Sequence, residues 1–172
     1  MRLHIAAVAG AGALALAACT KPPLTDQQNT AMADSVKQYV EGPFVSTMEK
    51  GNADSIVALY APAQNILVLD FGAIHAGQDA VGMLRAFCQR FRSSRWAIDS
   101  QHVTFLNRDA VAYTAMVTGS LKDSTGAETR TRFVWEGVFV RVGGAWKLQV
   151  DHSSWPPAPA PTATAKPVRA RR

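Results

Sequence analysis

The sequence predicts an α+β fold in which helices cover one face of a curved antiparallel sheet. Before residue 93, apolar side chains recur mainly every three to four positions, which indicates helices. After it, long runs rich in Val, Thr, Phe, Tyr and Trp are separated by turn-forming residues, which indicates strands. Because the connections between these strands are short, successive strands should be antiparallel neighbours. Helices and strands that segregate along the chain in this way are typical of α+β domains.

The first 18 residues, 1–18, have the layout of a secretory signal peptide. A short basic start precedes the run 5–16, which contains only small and apolar residues and is too short to span a bilayer as a helix. The segment that follows, LAAC at 16–19, resembles the bacterial lipobox, and this resemblance implies cleavage before Cys19 and lipidation of its thiol. The alternative is an ordinary signal peptide that contains a cysteine.

Lipidation of Cys19 would attach the mature protein firmly to a membrane, because two or three acyl chains together anchor where one does not. We therefore expect a lipoprotein of the cell envelope that sits on the membrane through Cys19. Thr20 rather than Asp follows the cysteine, which by resemblance to proteobacterial lipoproteins favours the periplasmic face of the outer membrane over the inner membrane. Residues 19–24 would be a short linker.

The positive charge of the chain lies at its two ends. The formal net charge is +5, but Arg2 belongs to the leader and four of the cations belong to the last seven residues, so the body between them is neutral. A nucleic-acid-binding face is therefore not expected. Residues 156–172 are rich in Pro and Ala and contain no aromatic residue, which predicts a flexible tail.

The expected domain, 25–155, begins with helices. Thr25 and Gln28 form a capping-box pattern ahead of an amphipathic helix. Pro43 lies inside this helix and should kink or divide it near Gly42, because proline cannot donate to the carbonyl of the preceding turn. Asn52 can cap a second helix that extends through Tyr60.

A strand and a third helix come next, followed by four strands in a meander. The apolar run 65–71 predicts the strand, and the helical spacing over 77–91 places Cys88 as a small buried core residue. The four later strands are predicted at Trp96–Leu106, Ala110–Leu121, Thr129–Val142 and Trp146–Ser153.

Three segments in this order resemble motifs of the nuclear-transport-factor-2-like superfamily, which includes the SnoaL-like cyclases, ketosteroid isomerases and scytalone dehydratase. They are 51–60 (GNADSIVALY), 75–81 (HAGQDAV) and 143–154 (GGAWKLQVDHSS). The resemblance implies a cone-shaped domain with three helices on one face of the sheet, and commonly a homodimer that pairs through the sheet. It does not imply one function, because this superfamily hosts enzymes, binders and adaptors.

Asp70 is the first candidate for chemistry. In ketosteroid isomerases a similar strand ends in the aspartate general base, and Asp70 falls near that position. An apolar pocket mouth would raise the pKa of its carboxyl toward the range that suits a base. The alternative is a carboxylate that only caps the turn at the end of the strand.

The oxyanion donors of that family match this sequence less well. The tyrosine donor falls near Phe44, which has no hydroxyl. The second donor falls near Glu136, which could donate if an apolar site kept it protonated, but which would otherwise form a surface salt bridge with Arg132 or Arg130.

Two histidines complete the list of catalytic candidates. By the two-residue period of a strand, His152 shares the inward face of Trp146 and Leu148, so we expect it in the pocket as acid, base or polar anchor. Asp151 would then point to solvent. The alternative is a structural histidine bonded to a backbone group or a carboxylate. His75 should lie in the loop before the third helix, where the family pockets open.

From these residues we expect a pocket that contains Phe44, Tyr60, Trp146 and His152 and that holds a small, largely apolar molecule. No spacing of His, Cys or carboxylates indicates a metal site, and no Gly-rich phosphate loop occurs, so no cofactor is expected. The leading hypothesis is binding without assigned chemistry. The alternatives are a cofactor-independent isomerase, cyclase or dehydratase that uses Asp70 or His152 for proton transfer, and an envelope-assembly adaptor without a ligand.

Overall fold

The computed structural model describes residues 23–70 and 72–154. The expected signal peptide 1–18, the expected lipidation site Cys19 with most of the expected linker, and the expected tail 156–172 lie outside these ranges. Within them, no helix is long and apolar enough to cross a membrane.

Helix α1, Asp26–Tyr39, begins at the predicted capping box. The Thr25 hydroxyl accepts from the Gln28 backbone at 3.2 Å, while the Thr25 backbone donates to the Gln28 side chain at 3.0 Å. The helix buries Met32 and Val36. The cap and the apolar stripe together fix both where α1 starts and which face it turns to the core.

The chain passes from α1 into a π-helical turn, Val40–Phe44, and then into α2, Val45–Lys50, which ends at Gly51 with a φ of 65°. Pro43 lies inside the π-helical turn. Because proline lacks an N–H, the α-helical ladder cannot continue through it, and the wider turn accommodates the missing bond. The division predicted near Gly42 is therefore confirmed.

Helix α3, Ala53–Val57, is shorter than the expected 52–60. Asn52 caps it by accepting from the Ser55 backbone at 2.9 Å, as predicted. Tyr60 has already left the helix and forms a parallel bridge with Leu148. This bridge explains the early end, because the Leu59 carbonyl and the Ala61 N–H bond to the Leu148 backbone instead of continuing the helix.

Six strands form one curved open sheet, and helix α4, Gln78–Arg90, connects its second and third strands. The order across the sheet is β2-β1-β6-β5-β4-β3. The strands are β1 Leu67–Asp70, β2 Ala73–Ala76, β3 Phe91–Asn107, β4 Ala110–Asp123, β5 Glu128–Val142 and β6 Ala145–Ser154.

The sheet departs from the predicted all-antiparallel arrangement in one place. Strand β1 pairs in parallel with β6, and every other neighbouring pair is antiparallel. Strand β2 was not predicted. Its four residues are too few to show an alternating pattern, and they fall in the loop expected before the third helix. The predicted α+β class, with helices on one face of a curved sheet, is confirmed.

The core lies between the helices and the concave face of the sheet. Phe44 stacks on Trp135 with ring centroids 5.2 Å apart, and Phe139 meets both rings edge to face at 5.9 and 6.0 Å. Trp135 and Phe139 alternate along β5 with half-buried valines on the convex face, so the helices cover only one side of the sheet. The concave side is where a ligand could be enclosed.

Candidate functional site

A cavity of about 430 Å³ lies between the helices and the concave face. Its walls are mainly aromatic and aliphatic, which is the usual lining of a small-molecule pocket. The Trp96 ring packs directly over Gly119. A Cβ at position 119 would come within 2.5 Å of the ring, so only a glycine leaves room for the indole there. The apolar walls are formed by Phe44, Val45, Met48, Val68, Met83, Leu84, Phe87, Phe91, Trp96, Ile98, Val117, Leu121, Phe133 and Trp135.

Two carboxyl groups, Asp70 and Asp151, interrupt this apolar lining. The parallel pairing of β1 with β6 brings them together, because Val68 pairs with Asp151 and Asp70 lies two residues further on the same face. Gly137 of β5 is the antiparallel partner of Asp151 and has no side chain to obstruct it. The cavity therefore combines a largely apolar surface with two acidic groups from neighbouring strands, and Arg90 and Arg130 also line it.

The Asp151 carboxylate is held by two aromatic donors. The Tyr60 hydroxyl donates to Oδ2 at 2.6 Å, and the Trp135 indole N–H donates to Oδ1 at 2.7 Å. Each oxygen therefore has one fixed donor and keeps acceptor capacity for a further proton or donor. Protein atoms surround the carboxylate closely, but part of its surface stays accessible from the cavity.

Burial sets the protonation chemistry of this group. Desolvation raises the pKa of Asp151 above its ordinary value, and the nearby Asp70 charge raises it further, while the hydrogen bonds from Tyr60 and Trp135 oppose the rise. Burial also raises the pKa of the Tyr60 hydroxyl well above its usual range, and the Asp151 charge adds to that increase. Tyr60 therefore stays a neutral donor to Asp151.

Asp70 lies at the end of β1, and its role as a base stays a prediction. Burial raises the pKa of its carboxyl, and the charge of His75 partly opposes this effect. Asp70 and Asp151 thus form a pair of neighbouring acids in one apolar cavity. Two like charges so placed disfavour full ionisation, so the pair retains a proton more readily than either carboxyl would in water.

The expected orientation of His152 and Asp151 is wrong, because β6 contains a bulge. Val138 pairs with Val150, but Phe139 pairs with Leu148, so Gln149 is an extra residue in β6. An extra residue reverses the alternation beyond it. Asp151 therefore faces the cavity and His152 the convex side.

On the convex side, His152 contacts Glu136. The distance from His152 Nδ1 to Glu136 Oε2 is 3.1 Å, and both side chains are partly exposed. Glu136 does not pair with either predicted arginine, because Arg130 contacts Glu128 and Arg132 contacts Asp99. The structure thus brings two of the sequence candidates together, but outside the cavity.

His75 lies in β2 rather than in a loop, and its Nδ1 is 2.7 Å from Asp79 Oδ2 in the first turn of α4. This pairing orients the ring toward the helix. His75 is not among the residues that line the cavity, although its charge acts on Asp70.

The four residues expected in the pocket divide equally. Phe44 and Tyr60 line the cavity, whereas Trp146 and His152 do not. The Trp146 indole donates to the Ser35 hydroxyl of α1 at 3.0 Å, and the Arg141 guanidinium lies 4.3 Å from the ring centroid. Trp146 therefore fastens α1 to the sheet beyond the cavity.

Sequence reasoning missed Asp151 and the donor Trp135, and it placed Tyr60 in the pocket without its hydrogen bond to Asp151. The composition of β6 gives no sign of the bulge. In the sequence alone, an aspartate beside a histidine near the end of a strand is interpreted as exposed to solvent.

Cys88 is a half-buried free thiol in α4, and burial raises its pKa. Among residues 23–70 and 72–154, no three His, Cys, Asp or Glu side chains cluster as metal ligands would.

No family model matches this sequence, and no curated protein does. Solved structures do resemble the chain. A candidate scytalone dehydratase from Novosphingobium aromaticivorans superposes with a TM-score of 0.68 at 11% identity, over 77% of this chain and 89% of that one. A candidate dehydratase of the nuclear-transport-factor-2-like family from Streptomyces avermitilis gives 0.61 at 16%, over 77% and 99%.

The chain has the nuclear-transport-factor-2-like fold. A third neighbour with this fold is a candidate calcium/calmodulin-dependent protein kinase II association domain from Xanthomonas campestris, with a TM-score of 0.64 at 20% identity over 73% of this chain and 88% of that one. At these identities the likeness shows the fold alone. The structural neighbours of this chain thus include both candidate enzymes and a candidate association domain.

Proposed function

We propose that this protein is an envelope lipoprotein whose domain binds a small, largely apolar substrate and moves a proton on it without a cofactor. The observation that carries the proposal is the pair Asp70 and Asp151 in one apolar cavity. The reaction class is an isomerisation, cyclisation or dehydration, because each needs one group to take a proton and a second to return it. The dehydratases among the structural neighbours fit this class.

The contacts of the two acids favour different roles. Asp151 accepts from Tyr60 and Trp135, which stabilise its ionised form and fix its direction. It is therefore the group that takes a proton from the substrate. Asp70 has no such pair of donors among the described residues, so its charge is less well stabilised, and it carries the proton that returns to the substrate at a second position. The substrate loses one proton and gains one, so the step leaves Asp151 protonated and Asp70 ionised. Transfer of a proton from Asp151 to Asp70, directly or through water, then restores the starting state.

The substrate class follows from the lining. Apolar walls favour a ring or hydrocarbon body, and the two acids require one polar function, such as a carbonyl or hydroxyl, beside the C–H that loses its proton. The test uses a panel of cyclic ketones in deuterated water. We expect the protein to catalyse exchange of the α-hydrogen for deuterium, measured by NMR.

The variants make this test specific. Asp151→Asn should lower the exchange rate by about 10²- to 10⁴-fold, the usual contribution of a general base. Glu136→Gln, on the convex face, should leave it unchanged. Exchange that survives in Asp151→Asn would overturn the assignment of the base. If the whole panel fails but native mass spectrometry of the detergent-solubilised protein finds a co-purified apolar molecule, the cavity binds a ligand without this chemistry.

The lipid anchor at Cys19 is a separate part of the proposal, supported by the lipobox LAAC at the end of an apolar segment of the right length. Globomycin, which blocks cleavage of lipidated precursors, should cause the unprocessed chain to accumulate. Cys19→Ser should block both lipidation and cleavage, so that the processed, membrane-bound form no longer appears. Unchanged processing and membrane association in Cys19→Ser would contradict the anchor while leaving the cavity chemistry intact.

A homodimer that pairs through the convex face completes the proposal. Four half-buried apolar side chains form the centre of that face, and they are Met116, Val134, Val138 and Val150. The Asp99–Arg132 ion pair lies beside these side chains, and the Glu136–His152 pair lies among them, between Val134 and Val138 on β5. A face with an apolar centre and charges of both signs can match a second copy of itself.

A further inference from the structure

One end of the sheet carries most of the exposed apolar surface. The β3–β4 turn and the β5–β6 turn meet there, and the Arg141 backbone donates to the Asp109 carbonyl at 2.8 Å to join them. We call this part of the molecule the hairpin end. Among residues 23–70 and 72–154, four large apolar side chains are strongly exposed, and three of them, Phe105, Leu106 and Val142, lie at the hairpin end with 37%, 54% and 38% exposure.

The chain also enters the domain at the hairpin end. Pro23 and Leu24, the first residues of the described structure, line a shallow groove together with Phe105 and Leu106. Cys19 precedes Pro23 by four residues, a segment that spans at most roughly 14 Å when fully extended. A lipid attached to Cys19 would therefore hold the hairpin end within that distance of the membrane surface.

We propose that the hairpin end is a membrane-contact surface, on which Phe105 and Leu106 insert into the bilayer interface beside the lipid anchor. The inference rests on the proposed lipidation of Cys19. A bilayer fits this surface better than a protein partner does, because the exposed side chains lie at the ends of β3 and β5 next to the tether and need only reach an apolar layer. Side chains of peripheral segments enter that layer by about 5–10 Å.

This contact would also orient the cavity. The turn between β4 and β5 lies at the opposite end of the antiparallel strands from the hairpin end. Phe91, Leu121 and Thr129, which line the cavity, lie near that opposite turn. A domain resting on its hairpin end would hold this part of the cavity away from the lipid, toward the aqueous compartment.

The test uses the full lipidated protein in phosphatidylcholine vesicles. In a Cys88→Ser background, a single thiol is introduced by Leu106→Cys and labelled with an environment-sensitive fluorophore. The matched control is Ser124→Cys, in the β4–β5 turn at the opposite end. Bromine on the lipid chains should quench the label at 106 at least about twofold more than the label at 124, because quenching requires entry into the interfacial layer.

The outcomes separate the contact from the anchor. If the protein floats with the vesicles but the label at 106 is quenched no more than the label at 124, the membrane contact is wrong and the anchor stands. Occupation of the groove by the linker or by another protein would give that same unquenched result. If neither this protein nor its Cys19→Ser variant floats, the anchor is wrong and the contact falls with it. Val142→Cys, labelled in the same way, should also be quenched more than 124.

Discussion

The Asp151 carboxylate receives hydrogen bonds from two aromatic donors that are far from it in the sequence. Tyr60 precedes it by 91 residues and Trp135 by 16. A carboxylate fixed by two donors has a defined direction of approach for a substrate proton, while its burial keeps the energetic cost of ionisation high. The same contacts that prepare the group for chemistry therefore make the stability of the folded chain depend on its protonation.

The pH dependence of stability should reveal Asp151 directly. Because burial raises the pKa of its carboxyl, the folded chain binds this proton more tightly than the unfolded chain does. The resulting stabilisation is fully present below the unfolded pKa of about 3.9 and is lost as the pH rises through the higher folded pKa. We expect the unfolding free energy of the wild type, relative to Asp151→Asn, to fall from pH 4 toward neutrality in urea titrations.

Asp99 offers a control of opposite sign. The hydrogen bond from Thr118 lowers the pKa of its carboxyl, and Arg132 lowers it further. Its contribution is therefore lost as the pH falls through the folded pKa, so the wild type should gain stability relative to Asp99→Asn as the pH rises. Parallel curves for the wild type and Asp151→Asn would show that Asp151 is not desolvated in the folded chain.

At the scale of elements, local signals fixed the positions of most helices and strands but not every orientation. Thr25 and Gln28 predicted the start of α1, and Pro43 predicted its division, because both effects act within one turn of backbone. The bulge at Gln149 depends on how β6 pairs with β5, and a single strand does not reveal its partner's register. One extra residue therefore reversed the expected orientations of Asp151 and His152.

The cap of α1 should contribute measurably to stability. Thr25→Ala removes the hydroxyl that accepts from the Gln28 backbone and should lower the unfolding free energy by about 1 kcal/mol, the typical value of an N-cap. Thr30→Ala is the control, since the Thr30 hydroxyl bonds only to the Asp26 carbonyl inside the helix, and alanine is the better helix former. Equal losses in both variants, measured by urea denaturation, would argue against the cap.

At the scale of the whole molecule, the sheet has one face covered by helices and one face open. The sequence predicted this asymmetry, because apolar residues occupy both faces of β5. It did not predict the parallel pairing of β1 with β6, on which the cavity carboxyls depend, because that contact joins the beginning and the end of the domain.

The open face should govern assembly. Val138→Lys places a charge at the centre of the convex face and should convert a dimer into a monomer in sedimentation velocity experiments at micromolar concentration. The experiment uses the chain with Cys19→Ser, so that lipid does not drive association. Ser124→Lys, in the turn outside that face, should leave the dimer intact. A wild type that sediments only as a monomer would contradict the proposed pairing.

The parallel pairing of β1 with β6 also has a kinetic consequence. Strand β6 is the last strand of the domain. Strand β1 therefore cannot pair with β6 until nearly the whole domain has been synthesised. Closing so long a loop costs chain entropy before its contacts compensate for it, so we expect the two cavity carboxyls to come together late in folding. Until then Asp70 and Asp151 stay apart, so the pair on which the proposed function rests exists only in a domain that has been synthesised to the end of β6.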